Sequence, residues 1–134
     1  MDETLKIIEQ FHGHLGPYAV LGYKMGKIAC KQLGSDPFEK TVTVSTGTTP
    51  PISCIIDGIQ LGSGCTLGKG NILVKYENIP KAEFCNKNGK KITITLQQQV
   101  QKEIEENVTK ENISSYSEIM YNRKDTDLFQ IEYY

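Results

Sequence analysis

The sequence predicts an α+β domain with an antiparallel-rich sheet, on three observations. Apolar residues recur at helical spacing in residues 2–10, in the segment after Pro17 and in residues 97–108. Short runs of alternating β-branched residues lie between these segments, and the two kinds do not follow one another as regular βαβ units would. Asn88-Gly89, set between two such runs, is the signature of an antiparallel hairpin.

In chain order, residues 2–10 carry Leu5, Ile7 and Ile8 as the stripe of a short amphipathic helix. Phe11-His12-Gly13-His14-Leu15-Gly16-Pro17 then packs two glycines and a proline into a shaped turn, and Pro17 suits the first turn of a second helix. There Leu21, Met25, Ile28 and Gln32 share a face with Val20 and Ala29 beside them, and Gly34 stands where a left-handed cap belongs. Residues 39–45 read as a strand. Pro50-Pro51 breaks the chain before a third helix over 52–61, and a glycine-rich loop fills 62–71. Strands are expected at 72–77, 82–85 and 91–95, helices at 97–108 and 112–121, and a last strand at 128–133.

A chain of 134 residues and 15.0 kDa accommodates one domain, spanning 1–134, with a core that needs no staples. Fifteen basic against sixteen acidic residues give a net charge of −1, which supplies no electrostatic reason for nucleic acid or an anionic membrane as partner. No apolar run approaches the ~20 residues of a transmembrane helix, and the acidic start Met1-Asp2-Glu3 is unlike a targeting peptide. The expected location is therefore the cytoplasm, with Cys30, Cys54, Cys65 and Cys85 as reduced thiols. None of them forms a C-x-x-C pair.

Three constellations could carry chemistry. His12 and His14 are the chain's two histidines, and on extended backbone residues two apart project to one face, so both imidazoles could meet one metal ion. Cys54, Asp57 and Gln60 fall at helical spacing; Asp57 lies among Ile55, Ile56 and Ile59 and so needs a partner or a task. In the glycine-rich loop, Cys65 stands near Lys69, a cation that would favour the thiolate. This loop is not a Walker A motif: Ser63 occupies the first glycine position and Gly70 the magnesium-binding Ser/Thr. Cys30 and Cys85 read as structural.

Together, Phe11 to Pro17 with Leu21-Gly22-Tyr23-Lys24-Met25-Gly26, Cys54 to Gln60, Gly64 to Asn71 and the closing Asp127-Leu128-Phe129 resemble the FmdE family, named for a component of formylmethanofuran dehydrogenase, over nearly the whole chain. That resemblance implies an intertwined α+β homodimer and association with a molybdenum or tungsten oxidoreductase. It also implies a core-only member, since the C-x-x-C-rich zinc-finger domain of some relatives has no counterpart here. Many members read His-Gly-His-x-Cys-Pro; here Gly16 replaces that cysteine and removes one sulfur donor.

Three functional readings follow. The first is a metal site of His12, His14 and Cys65, with Cys54 and Gln60 as additional positions. Imidazole and thiolate donors favour zinc, and three protein ligands leave one position open to a small molecule. Asp57 would then orient a ligand or act as base, and Lys69 would stabilise substrate charge. The second is a non-catalytic accessory subunit that binds a small molecule or docks to a larger oxidoreductase. The third is metal-free thiol catalysis at Cys65.

Overall fold

The computed structural model describes residues 2–134. Six helices, α1 (Glu3–His12), α2 (Pro17–Leu33), α3 (Cys54–Ser63), α4 (Gln98–Asn107), α5 (Ile113–Asn122) and α6 (Asp125–Leu128), accompany five strands. These are β1 (Lys40–Val44), β2 (Ile72–Val74), β3 (Lys81–Asn86), β4 (Lys91–Leu96) and β5 (Phe129–Tyr133). They form one sheet in the order β2-β1-β3-β4-β5, parallel only between β1 and β2. The α+β architecture with an antiparallel-rich sheet is the one expected.

Register places the apolar side chains in rows. Val42 faces Phe84, which faces Ile92; Val44 faces Ala82, which faces Ile94. All six are buried, and each fully buried isoleucine contributes about 1.5–3 kcal/mol. Helix α2 closes the core with eleven of its residues buried, including Leu21, Met25 and Ile28.

The α2–α3 contact is set by glycine. Gly22 and Gly26 on α2 and Gly58 and Gly62 on α3 each recur after four residues. A Cβ on Gly22 would fall on the Ile55 carbonyl, one on Gly58 on the Ala19 carbonyl, and one on Gly62 on that of Tyr23. Gly26 likewise abuts the Gly62–Ser63 backbone. The two helices therefore touch backbone to backbone, a separation that no larger residue permits.

Several boundaries differ from the expected ones for local reasons. Tight turns, with Cys54 N–H on the Pro51 carbonyl and Ile55 N–H on that of Ile52, precede α3, so the helix starts at Cys54 rather than Ile52. It ends at Gly64, whose φ of 79° is left-handed. The Pro50-Pro51 bond is cis. Strand β2 stops at Val74, and Tyr76 keeps only an isolated bridge to Thr46. Helix α6 has no counterpart among the expected elements, being a single turn opened by Asp125 and Asp127. At the end of α2, buried Lys40 donates from Nζ to the Gly34 and Asp36 carbonyls at 2.8 and 3.0 Å. Lys24 similarly caps α5, donating to the carbonyls of Met120, Tyr121 and Arg123. No helix among the described residues is long and apolar enough to cross a membrane.

Candidate functional site

His12 is the last residue of α1, and Gly13 turns the chain through φ 102°. The two histidines thus converge through a left-handed glycine, not through the extended backbone expected from sequence. Their ring centroids are 4.9 Å apart at a tilt of 44°. Gly16 is extended, and a Cβ there would stand 3.1 Å from Cε1 of His14, so the absence of a side chain leaves space beside that ring.

Asp57, in the first turn of α3, reaches His12: Nδ1 and Oδ2 are 2.6 Å apart. This answers why a carboxylate sits among isoleucines. The contact fixes the ring of His12, whose side chain is 9% exposed, and turns Nε2 away from the carboxylate. The glycine seam holds α3 at the depth that makes this contact.

Both histidines open onto a cleft of about 560 Å³. Cys54 lines it beside them, and its other walls come from Pro17 and Tyr18, from the Thr49–Ile52 segment, and from Ile104, Glu105, Val108 and Ile113. The Cys54 thiol is pushed up by burial and further by the Asp57 carboxylate. Burial pushes the Tyr18 hydroxyl up to about 12, with Glu105 adding to the rise and a bond to Gln101 opposing it. Both groups are thus held protonated in neutral solution.

The remaining expected site residues lie elsewhere. Cys65 follows the far end of α3, a helix whose ten residues span about 15 Å. It is fully buried, with its sulfur 3.7 Å from the Lys40 carbonyl, and does not line the histidine cleft. Burial raises its thiol despite Lys40 and Lys69, the reverse of the activation expected from the lysine spacing. Lys69 is exposed, 5.6 Å from the Phe38 ring centroid and bonded to Thr66. Gln60 accepts from the Leu67 N–H at 3.1 Å and so shapes the loop. The set His12, His14 and Cys65 is therefore corrected: among the described residues, no three His, Cys, Asp or Glu side chains are gathered as a metal-holding group. Cys30 donates toward the Gly62 and Ser63 carbonyls and Cys85 toward that of Asn86, and all four cysteines are free.

Sequence reasoning missed the far wall of the cleft. Tyr18, Ile104 and Val108 carry ordinary core spacing, and Glu105 falls in a run of exposed charges. Only the Pro50-Pro51 break marked a segment of this wall in advance.

Known proteins share this chain's pattern. The model of the family described as "FmdE, Molybdenum formylmethanofuran dehydrogenase operon" matches residues 11–130. The chain belongs to the FmdE family. An FmdE-like protein of tungsten formylmethanofuran dehydrogenase from Syntrophus aciditrophicus superposes with a TM-score of 0.72 and 20% identity, over 98% of this chain and 70% of that one, which shows a shared fold. A curated relative from Archaeoglobus fulgidus, a "Probable S-adenosyl-L-methionine-binding protein", is 34% identical over 70 residues. That match takes in 48% of this FmdE chain and 18% of the relative's length.

Proposed function

We propose that this FmdE-family chain binds a small molecule in the cleft together with a transition-metal ion, zinc by donor preference, at His12 and His14. The observation that carries the reading is the 2.6 Å His12–Asp57 contact with a second imidazole beside it at an apolar cleft. A carboxylate on one ring nitrogen is the arrangement that orients an imidazole and strengthens it as a ligand. Two imidazoles suit zinc and not magnesium or calcium. With only these two donors in place, an ion keeps positions for Cys54, for water or for the bound molecule, so metal and ligand reinforce each other's retention.

When bound, such an ion supplies Lewis-acid polarisation of a carbonyl or hydroxyl oxygen. The chain's own residues do the rest. Asp57 holds the His12 ring, Tyr18 offers a protonated hydroxyl, and the apolar walls exclude water from the ligand. The volume falls in the ~300–1,000 Å³ range of small-molecule sites. S-adenosyl-L-methionine, named for the archaeal relative, is a candidate ligand.

Zinc titration by calorimetry on chelator-treated protein tests this reading, with elemental analysis alongside. We expect uptake of about one ion per chain, loss in His14→Ala, and ten- to a hundredfold weaker binding, approximately, in Asp57→Asn. No uptake by the wild type, or full uptake by His14→Ala, overturns the metal site.

A second reading is a non-catalytic accessory subunit of a molybdenum or tungsten oxidoreductase. It is favoured by the Cys54 and Cys65 thiols, both raised and so poor nucleophiles. It predicts ligand binding that survives chelation. A homodimer is part of either reading, supported by Phe38, Leu67 and Leu73, exposed on and beside edge strand β2. Light scattering on the purified chain measures that mass directly.

A further inference from the structure

The charges around the cleft are one-sided. No lysine or arginine lines it, and apart from the histidine pair its one ionisable charged lining residue is Glu105 on α4. Glu105 makes no ion pair or hydrogen bond among the described residues, whereas Glu103, two positions away, is held by Arg123 at 2.7 and 2.8 Å. Around Glu105 the cleft is apolar and aromatic: Tyr18, Ile104, Val108 and Ile113.

We propose that the cleft selects an amphipathic organic cation, an ammonium or sulfonium compound with an apolar body, and that Glu105 is the residue that selects it. This rests on the reading of the cleft as a small-molecule site and names the class of molecule it takes.

The physical argument is complementarity. A phosphorylated ligand or a simple carboxylate would enter facing Glu105 with no protein cation to receive it, and like charge costs affinity. A cation meets an unpaired carboxylate beside an aromatic ring and apolar walls that accept its hydrocarbon part. Glu105 also raises the Tyr18 hydroxyl, which is consistent with its charge reaching the aromatic wall of the cleft. Because Glu105 is exposed at the rim, its attraction is partly screened and sets preference more than total affinity.

Two amphiphiles of matched size and opposite charge, 4-phenylbutylamine and 4-phenylbutyrate, test the idea by titration into isotopically labelled, metal-free protein. We expect amide shifts at residues 49–52 and 104–113, with the amine bound roughly fivefold more tightly than the acid. Glu105→Gln, a change at an exposed position with unaltered side-chain volume, should bring the two to equal affinity at unchanged melting temperature. Equal binding to the wild type, tighter binding of the acid, or a preference that persists in Glu105→Gln overturns the inference while leaving a small-molecule site. If neither compound perturbs the cleft, the small-molecule reading itself falls, and this inference with it.

Discussion

The two ends of α3 begin with similar chemistry in the sequence and finish with opposite fates. At its start, Cys54 and Asp57 face a cleft and the carboxylate holds His12. Beyond its end, Cys65 and Lys69 carry a thiol and a cation at equally suggestive spacing, yet the thiol is sealed against β1 and the amine extends over Phe38. The difference lies in what each end packs against. The start meets a left-handed turn and a gap between elements; the end meets the sheet and the tail of α2. Residue type and spacing state what chemistry could be done, and packing decides which copy is reachable.

The most severe way to break this comparison is to remove the seam that positions both ends. Gly58→Ala forces a Cβ onto the Ala19 carbonyl, so α3 must move off α2. We expect a loss of about 3 kcal/mol or more by urea unfolding, together with loss of zinc uptake in any fraction that remains folded. A stable variant with full uptake would show that backbone contact between α2 and α3 is not what sets the His12–Asp57 geometry.

Thiol labelling sharpens the contrast without disturbing the fold. Under native conditions Cys54, half-buried at the cleft, should react with a thiol reagent at least ~100-fold faster than Cys65, whose labelling must await opening of the core. Peptide mapping at successive times separates the two. Comparable rates would place Cys65 at a surface and restore it as a site residue.

The smallest expected effect concerns the cleft wall alone. The Arg123 guanidinium, then the Tyr116 hydroxyl, hold the Glu103 carboxyl down to about 2 from its ordinary 4.5. A depressed carboxyl stabilises the fold fully above about pH 4.5 and loses that contribution as pH falls toward 2. Both charged side chains are about one-third exposed, which limits the pair to about 1 kcal/mol. Glu103→Gln should therefore melt earlier than the wild type at pH 7, with the gap closing in acid. A gap independent of pH would mean that the side chain acts by packing.

Much of the fold was legible because periodicity and turn chemistry are local. The Asn88-Gly89 hairpin, the Pro17 start of α2 and its Gly34 end follow from a few adjacent residues. Asp57 was also legible, since a carboxylate among isoleucines requires a partner. What could not be read was three-dimensional neighbourhood. Nothing in the spacing of Cys65 and Lys69 says that the thiol turns inward, and nothing in Gln97–Val108 says that Glu105 borders the cleft holding His14. The glycines of α2 and α3 were visible as residues, but their pairing needs the crossing of two helices to be known. Gln60 was grouped with Asp57 by helical spacing, although its amide serves the following loop.

The glycine seam also divides the molecule by its freedom to change over generations. Gly22, Gly26, Gly58 and Gly62 accept no substitution without moving backbone, so the side of the cleft that carries His12, Asp57 and Cys54 is bound to a fixed inheritance. The opposite side hangs on α4 and α5, where exposed positions such as Glu105 can be exchanged with little effect on the core. A descendant can therefore acquire a new ligand by altering one wall while its histidines stay where the seam put them.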